Sequence, residues 1–137
     1  MASIVIKGNW RVSSNDVVYH TRDKEFYLLH EYWDDSSVVL GAQPFTISNN
    51  TEGIKKSTVH NYFNDDVEEQ LIYVGEYNEL FTFWKECAIN AMQGFQESGG
   101  KVGIAADFLQ KETARLSFKM ADAMLREYME RLVQEKS

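Results

Sequence analysis

Residues 70–97, QLIYVGEYNELFTFWKECAINAMQGFQE, contain the change from strand to helix that decides the fold class. The run from 70 to 74 is apolar and rich in β-branched and aromatic side chains, which predicts a strand that ends at Gly75. From residue 78 to about 97 the apolar positions recur every three or four residues, as in an amphipathic helix. Its apolar stripe consists of Leu80, Phe81, Trp84, Cys87, Ala88, Ala91, Met92 and Phe95.

A second helix is predicted downstream, from 104 to 133, after the glycine stop at Ser98-Gly99-Gly100. Its apolar stripe consists of Ala114, Phe118, Ala121, Leu125, Tyr128 and Leu132, widened by Met124. About 30 residues at a rise of 1.5 Å give a helix of about 45 Å, which is long for a domain of this size. We therefore expect part of it to pack on a second copy of the chain, in a homodimer or a higher oligomer.

Upstream of the helices, short strands separated by polar turns predict an antiparallel meander. Residues 4–12 alternate throughout and predict one strand with a polar face, in which Gly8 marks a bulge or a bend. Further strands are predicted at residues 17–21, 26–33, 38–42 and 45–47. A short helix capped by Asp23 is the alternative for 26–33. Residues 48–69 are predicted to begin as a loop, and a short helix remains open in their second part.

The predicted fold class is therefore α+β, with an N-terminal antiparallel β-meander followed by two long C-terminal amphipathic helices. We expect a single domain over 1–137 that is mainly β over 1–75, because 137 residues with 44% hydrophobic side chains suffice for one packed core. The lone Cys87 excludes an intrachain disulfide and favours a reducing compartment. With no signal peptide and no apolar span of about 18 residues, the expectation is a soluble cytoplasmic protein without a membrane partner.

The formal net charge of −7 is unevenly distributed. Residues 1–100 hold 7 Lys and Arg against 15 Asp and Glu, which gives 7 − 15 = −8, and residues 101–137 hold 7 against 6, which gives +1. Affinity for nucleic acids depends on cationic contacts to phosphate, so this balance argues against a nucleic-acid partner. Two interpretations of the acidic part stay open: a solubilising surface, or a surface for a basic protein.

The sequence contains no recognisable motif for catalysis, a metal or a cofactor. Gly99-Gly100-Lys101-Val102 lacks the spacing and the hydroxyl residue of a phosphate-binding loop, and the three histidines lack metal-ligand spacing. Cys87 falls on the apolar face of its helix and is predicted to be an inert thiol. We expect no catalytic residue, no metal and no cofactor, and a binding or inhibitory role rather than an enzymatic one.

One row of cations is the candidate ligand site. Lys111, Arg115 and Lys119 recur every four residues and therefore share one face of the second helix. Three cations on one face can hold a phosphate or another anionic group, and Trp84 of the preceding helix can supply a stacking surface if the two helices are adjacent. The alternative is an ordinary surface row, because Asp107 and Glu112 are spaced to pair with Lys111 and Arg115.

The segment 115–127 resembles the C-terminal helix of many small proteins encoded by phages and prophages, through Ala121-Asp122-Ala123-Met124-Leu125 followed by Arg126-Glu127. The order of a sheet followed by two helices also resembles the phage anti-Thoeris sponge proteins. Those proteins sequester cyclic nucleotide signals with aromatic and basic residues near their helices. The resemblance implies a phage-encoded counter-defence protein that acts in the bacterial host cell, and it carries over no catalytic residue.

Three interpretations of function follow from these features. The first is a non-enzymatic counter-defence protein that sequesters an anionic, nucleotide-like ligand or binds a host protein. The second is an immunity protein that neutralises a bacterial toxin, for which an acidic composition is suitable. The third is a small enzyme whose active site is assembled from distant residues.

Overall fold

The computed structural model describes residues 3–45, 47, 57–58, 70–99 and 106–136. In these residues seven strands precede two helices, and this order confirms the predicted α+β class. The strands are β1 (Ser3–Ile6), β2 (Trp10–Ser13), β3 (Asp16–His20), β4 (Glu25–Asp34), β5 (Ser37–Pro44), β6 (Ser57–Thr58) and β7 (Leu71–Glu76). The helices are α1 (Tyr77–Gly99) and α2 (Ala106–Lys136), each within three residues of its predicted ends.

The strands form two antiparallel sheets. β1 and β2 make a two-stranded hairpin, and the other five make a sheet in the order β6-β5-β4-β3-β7. β3, β4 and β5 correspond to the meander strands predicted at 17–21, 26–33 and 38–42, β6 is an addition that was not predicted, and β7 returns to pair with β3. The register of that pair shifts between Val17 and Val18, where Val74 is the extra residue of a β-bulge. β7 consequently continues through Gly75, the residue at which it was predicted to end.

The single strand predicted over 4–12 is wrong, because the chain reverses at Gly8 and Asn9 to make the β1–β2 hairpin. Both residues adopt a positive φ, of 83° and 62°, and the Asn9 N–H donates to the Ile6 carbonyl at 3.0 Å. The three-residue turn pairs Ile6 with Trp10 and Ile4 with Val12. Paired residues lie on the same face of a hairpin, so the alternation continues in phase across the turn.

The strand predicted at 38–42 is longer than expected, and the strand predicted at 45–47 is wrong at the residues described. β5 runs from Ser37 to Pro44 without a break at the proline, which pairs with Tyr27 at the end of the ladder. Phe45 and Ile47 lie outside the strands, so the strand predicted at 45–47 is not formed at these residues. β4 confirms the strand interpretation of 26–33 over the helical one. Ser57 and Thr58 form strand β6, at the start of the segment for which a short helix is the open alternative. The other residues of 48–69 lie outside the described residues.

The chain divides into two compact units. Unit 1 comprises 1–78 and 132–137, and unit 2 comprises 79–131. The core of unit 1 lies between the hairpin and the sheet and consists of Ile6, Val12, Val18, Tyr27, Leu29, Leu40, Ala42 and Leu71. Burial of one such leucine contributes about 1.5–3 kcal/mol.

Lys136, from the last turn of α2, belongs to unit 1 and binds two aromatic rings there. Its Nζ donates to the Tyr73 carbonyl at 3.0 Å and lies 4.5 Å from the Tyr73 ring centroid and 5.1 Å from that of Trp10. The two rings are themselves stacked at 4.9 Å. Burial lowers the pKa of Lys136 below its ordinary value. The contact joins β2, β7 and the end of α2.

In unit 2 the buried face of α2 differs from the predicted stripe. The buried residues are spaced by four and are Thr113, Ser117, Ala121, Leu125 and Met129. Phe118 and Tyr128, predicted in the core stripe, are 45% and 36% exposed, and Phe81 of the α1 stripe is 37% exposed. Thr113 and Ser117 are small polar residues, yet they are buried at positions where hydrophobicity predicts larger apolar side chains. Within the described residues, neither helix has a stretch long and apolar enough to cross a membrane.

Candidate functional site

Three aromatic rings of unit 2 form a stack with exposed members, which we call the aromatic stack: Phe81, Trp84 and Phe118. The Trp84 ring centroid lies 5.9 Å from that of Phe81, with an interplanar angle of 26°. It lies 5.6 Å from that of Phe118, with an interplanar angle of 13°. Near-parallel rings at these separations are offset stacks. Large aromatic rings are usually buried in a core. Phe81 and Phe118 are instead exposed, and packing alone does not explain their exposure.

Helical spacing brings the stack together. Phe81 and Trp84 are three residues apart on α1, and Phe118 and Asp122 are four apart on α2, so each pair shares one helix face. The indole Nε1–H of Trp84 donates to Oδ1 of Asp122 at 2.9 Å. This bond fixes the orientation of the indole, and the face of Trp84 is held parallel to that of Phe118. The two helices are therefore adjacent at Trp84, which is the condition stated for its role as a stacking surface, and Phe118 is its neighbour on α2.

The three predicted cations lie beside Phe118 on α2. Lys111, Arg115 and Lys119 are all exposed, and Arg115 precedes Phe118 by three residues while Lys119 follows it directly. Arg115 Nε donates to Oε1 of Glu112 at 3.0 Å, and Nη2 contacts the same oxygen. This hydrogen bond lowers the pKa of Glu112 and raises that of Arg115. The predicted Glu112–Arg115 pair is thus present, and the Asp107 side chain of the other predicted pair lies outside the described residues.

The cationic row keeps a net positive charge despite that pair. Lys111, Arg115 and Lys119 contribute +3, and the carboxylates of Glu112 and Asp122 reduce the sum to 3 − 2 = +1. Both members of this ion pair are solvent-exposed, where water and salt screen their attraction, so a phosphate can replace or share the carboxylate. The arrangement therefore combines an exposed aromatic face with exposed cationic groups, which is the combination that binds a base or another ring bearing an anionic group.

Phe118, Phe81 and Asp122 are the residues of this site that sequence reasoning missed. Phe118 and Phe81 fit the apolar stripes and were assigned to the core by periodicity. Asp122 was quoted only as part of the resemblance to phage proteins. The one sequence signal that distinguishes Phe118 is Arg115, which precedes it by three residues and shares its helix face, because a core residue less often has a cation there.

Cys87 and His20, the other residues considered for chemistry, lie in surroundings that suit a structural role. Burial, followed by the charge of Glu86, raises the pKa of the Cys87 thiol, which favours the unreactive protonated form. His20 is buried, and its Nδ1 accepts the Asp23 backbone N–H at 3.1 Å in the turn between β3 and β4. In the part of the chain that the structure describes, no three His, Cys, Asp or Glu side chains are grouped to hold a metal ion.

Comparisons with protein-family models, with curated proteins and with solved structures found no match to this chain. The functional proposal below therefore depends on the aromatic stack and the cationic row themselves.

Proposed function

We propose that the protein is a non-enzymatic binding protein that sequesters an anionic, nucleotide-like ligand on unit 2. The observation that carries the proposal is the exposed ring of Phe118, stacked on Trp84 and flanked along α2 by Arg115 and Lys119. In this proposal the base of the ligand stacks on the aromatic stack. Its phosphate accepts hydrogen bonds from Arg115 and the two lysines.

The energetics support modest to tight binding from these groups alone. Stacking of one base on an aromatic side chain contributes about 1–3 kcal/mol, and a charge-assisted hydrogen bond to phosphate about 1.5–3 kcal/mol. The Trp84–Asp122 bond orients the indole before the ligand arrives, which reduces the ordering cost of binding. A ligand with two bases or two phosphates would engage more of the stack and more of the cations than a mononucleotide.

The test is titration of the protein with AMP, ADP and cyclic mono- and dinucleotides, measured by calorimetry and by the chemical shift of the Trp84 indole N–H. Phe118→Ala is expected to weaken binding about tenfold or more, because it removes the exposed stacking face. Arg115→Gln is expected to weaken it to a similar degree and to reduce its salt dependence. Arg126→Gln is the matched control, because Arg126 also pairs with a glutamate of α2, Glu130, at 3.1 Å.

The control separates site binding from a general effect of charge. Arg126 lies 126 − 115 = 11 residues from Arg115, or about 16 Å along the helix. If Arg126→Gln weakens binding as much as Arg115→Gln, or if none of the nucleotides binds the unaltered protein at millimolar concentration, the proposed function is wrong.

The proposed biological setting is that of a phage-encoded counter-defence protein in the cytoplasm of its bacterial host. This part of the proposal is supported by the resemblance of 115–127 to phage proteins and by the lone cysteine, whose raised pKa suits a thiol that stays reduced. Removal of a nucleotide signal needs stoichiometric binding rather than turnover. A protein without a clustered metal site in its described residues is compatible with that role.

We further propose that a second copy of the chain covers one flank of α2. Met120 and Met124, one helical turn apart, are about half exposed, on a helix of 31 residues that spans about 46 Å. The formal charge of residues 101–137 is +1, whereas that of residues 1–100 is −8. Two copies of 101–137 can therefore meet without strong repulsion. Light scattering is expected to give a dimer mass, and Met124→Lys is expected to shift it to a monomer. A monomer mass for the unaltered protein at about 100 μM would mean that copies of the chain do not associate even at this concentration, and it would contradict the proposed dimer.

A further inference from the structure

The β4–β5 hairpin extends beyond the neighbouring strand. β3 pairs with β4 only as far as Leu28, whereas β5 continues to pair with β4 up to Asp34. The two-residue turn at Asp35 and Ser36 closes the extension, and Asp35 adopts a φ of 55°. We call residues 29–42 the hairpin arm. Its register is fixed by the ladder, so the positions of its side chains on the two faces follow directly.

The core face of the sheet continues along the arm and emerges uncovered. Tyr27 and Leu29 lie on this face in the core, and Leu29 pairs with the buried Ala42. Two steps further, Glu31 pairs with Leu40, and two steps beyond that, Trp33 pairs with Val38. Trp33 is 72% exposed and Val38 is 40% exposed. An apolar cross-strand pair therefore lies at the tip of the arm, in line with the core but outside it.

Along the arm itself the formal charges have one sign. Between residues 25 and 54 the sequence contains no Lys or Arg, and its acidic residues are Glu25, Glu31, Asp34, Asp35 and Glu52. Three of these, Glu31, Asp34 and Asp35, lie within two residues of Trp33 along the arm. The tip therefore combines a large exposed indole with an acidic rim, in which Asp35 is exposed and Glu31 is half-buried. This is the composition of a protein-docking element, because tryptophan is enriched among the residues that dominate binding energy and charged residues form the rim.

We infer that the hairpin arm docks on a basic protein surface, with Trp33 and Val38 entering an apolar depression and the carboxylates meeting the surrounding cations. The charge selects this partner over the alternatives. A second copy of the arm would bring two acidic rims together, and nucleic acids and anionic lipid headgroups would be repelled for the same reason. The arm belongs to unit 1, so this inference does not rest on the nucleotide site of unit 2.

The test uses an array of 12-residue peptides in which Lys and Arg are combined with one or two Leu or Phe residues. Matched peptides replace the basic residues with Glu, or the apolar residues with Gly. The full-length protein is expected to bind the basic apolar peptides over both matched sets, with affinity that falls as salt rises. Trp33→Ala is expected to weaken this binding at least about tenfold.

Two further variants separate the apolar and the charged contributions. Asp35→Asn removes a charge and keeps the turn, because Asn adopts a positive φ readily, and it is expected to weaken binding two- to fivefold and to lower the salt dependence. Ile89→Ala removes an exposed apolar residue of α1, and it is expected to leave peptide binding unchanged. Thermal unfolding of each variant confirms that it is folded.

Three results would overturn the inference. They are binding of the Glu peptides as tight as that of the basic ones, unchanged affinity in Trp33→Ala, and a loss of self-association in Trp33→Ala measured by sedimentation velocity. The last result would assign the arm to contacts between copies of this chain. None of the three depends on whether a nucleotide binds unit 2, so the two proposals fail separately.

Discussion

Leu29→Ala is expected to lower the free energy of unfolding of unit 1 by about 3–4 kcal/mol. Leu29 is fully buried in the core, and its carbonyl accepts the Asn15 N–H at 2.7 Å, which fixes β4 against the turn that precedes β3. Truncation removes the leucine side chain from the centre of the cluster and leaves a cavity that the paired Ala42 is too small to fill. The change acts on packing alone, because the backbone ladder is kept.

The neighbouring Leu28→Ala is the matched control. Leu28 lies on the opposite face of the same strand and is only partly buried, so the same chemical change is expected to cost about 1–2 kcal/mol. Urea unfolding followed by hydrogen exchange of the β3 and β4 amides reports on unit 1 alone. Equal losses in the two variants would contradict the assignment of the core to the face that contacts the β1–β2 hairpin.

Gly8→Val is expected to destabilise unit 1 by about 2–3 kcal/mol. Gly8 adopts a φ of 83°, a region that costs an L-residue about 1–2 kcal/mol and a β-branched residue more. A Cβ atom at this position would also lie 3.1 Å from Cδ1 of Trp10, which is tighter than an ordinary contact. Displacement of Trp10 would then disturb its stacking on Tyr73.

Gly94→Ala provides the opposite expectation in the same chain. Gly94 is inside α1, and a Cβ there meets no atom within 4 Å, so alanine is expected to stabilise the helix by about 0.5–1 kcal/mol. Thermal and urea unfolding of the two variants should therefore move in opposite directions. If Gly8→Val were as stable as the unaltered protein, the turn between β1 and β2 would not have the conformation described above.

The hairpin also shows where periodicity stops being informative. The alternation over 4–12 is the same for one strand as for two strands joined by a three-residue turn, because such a turn keeps the even-numbered residues of both strands on one face. Only the glycine and the asparagine inside the run distinguish the two structures, and both residues also occur in strands with bulges. The bounds of strands β3 and β4, in contrast, are predicted within about one residue, since polar clusters mark both ends of each apolar run.

The cations of the candidate site and Trp84 were predictable from the sequence, whereas Phe81 and Phe118 were not. The spacing of Lys111, Arg115 and Lys119 places them on one face of any helix, whatever packs against it. Exposure of Phe118 depends instead on Thr113 and Ser117 being buried, and hydrophobicity ranks both below phenylalanine. Small side chains are favoured where a helix approaches its neighbour closely, and that approach is a property of the fold rather than of α2 alone.

The contact of Lys136 with Trp10 and Tyr73 has a consequence for synthesis of the chain. The residues that meet are separated by 136 − 10 = 126 positions, and all of unit 2 is made between them. A ribosome that has produced β1 to β7 has therefore not yet produced the lysine that joins β2 to β7. The strands of unit 1 leave the exit tunnel before unit 2 does, yet unit 1 is completed only when the end of α2 has followed. A chain that ended directly after Arg131 would lack the last segment of the first unit and keep all of 79–131.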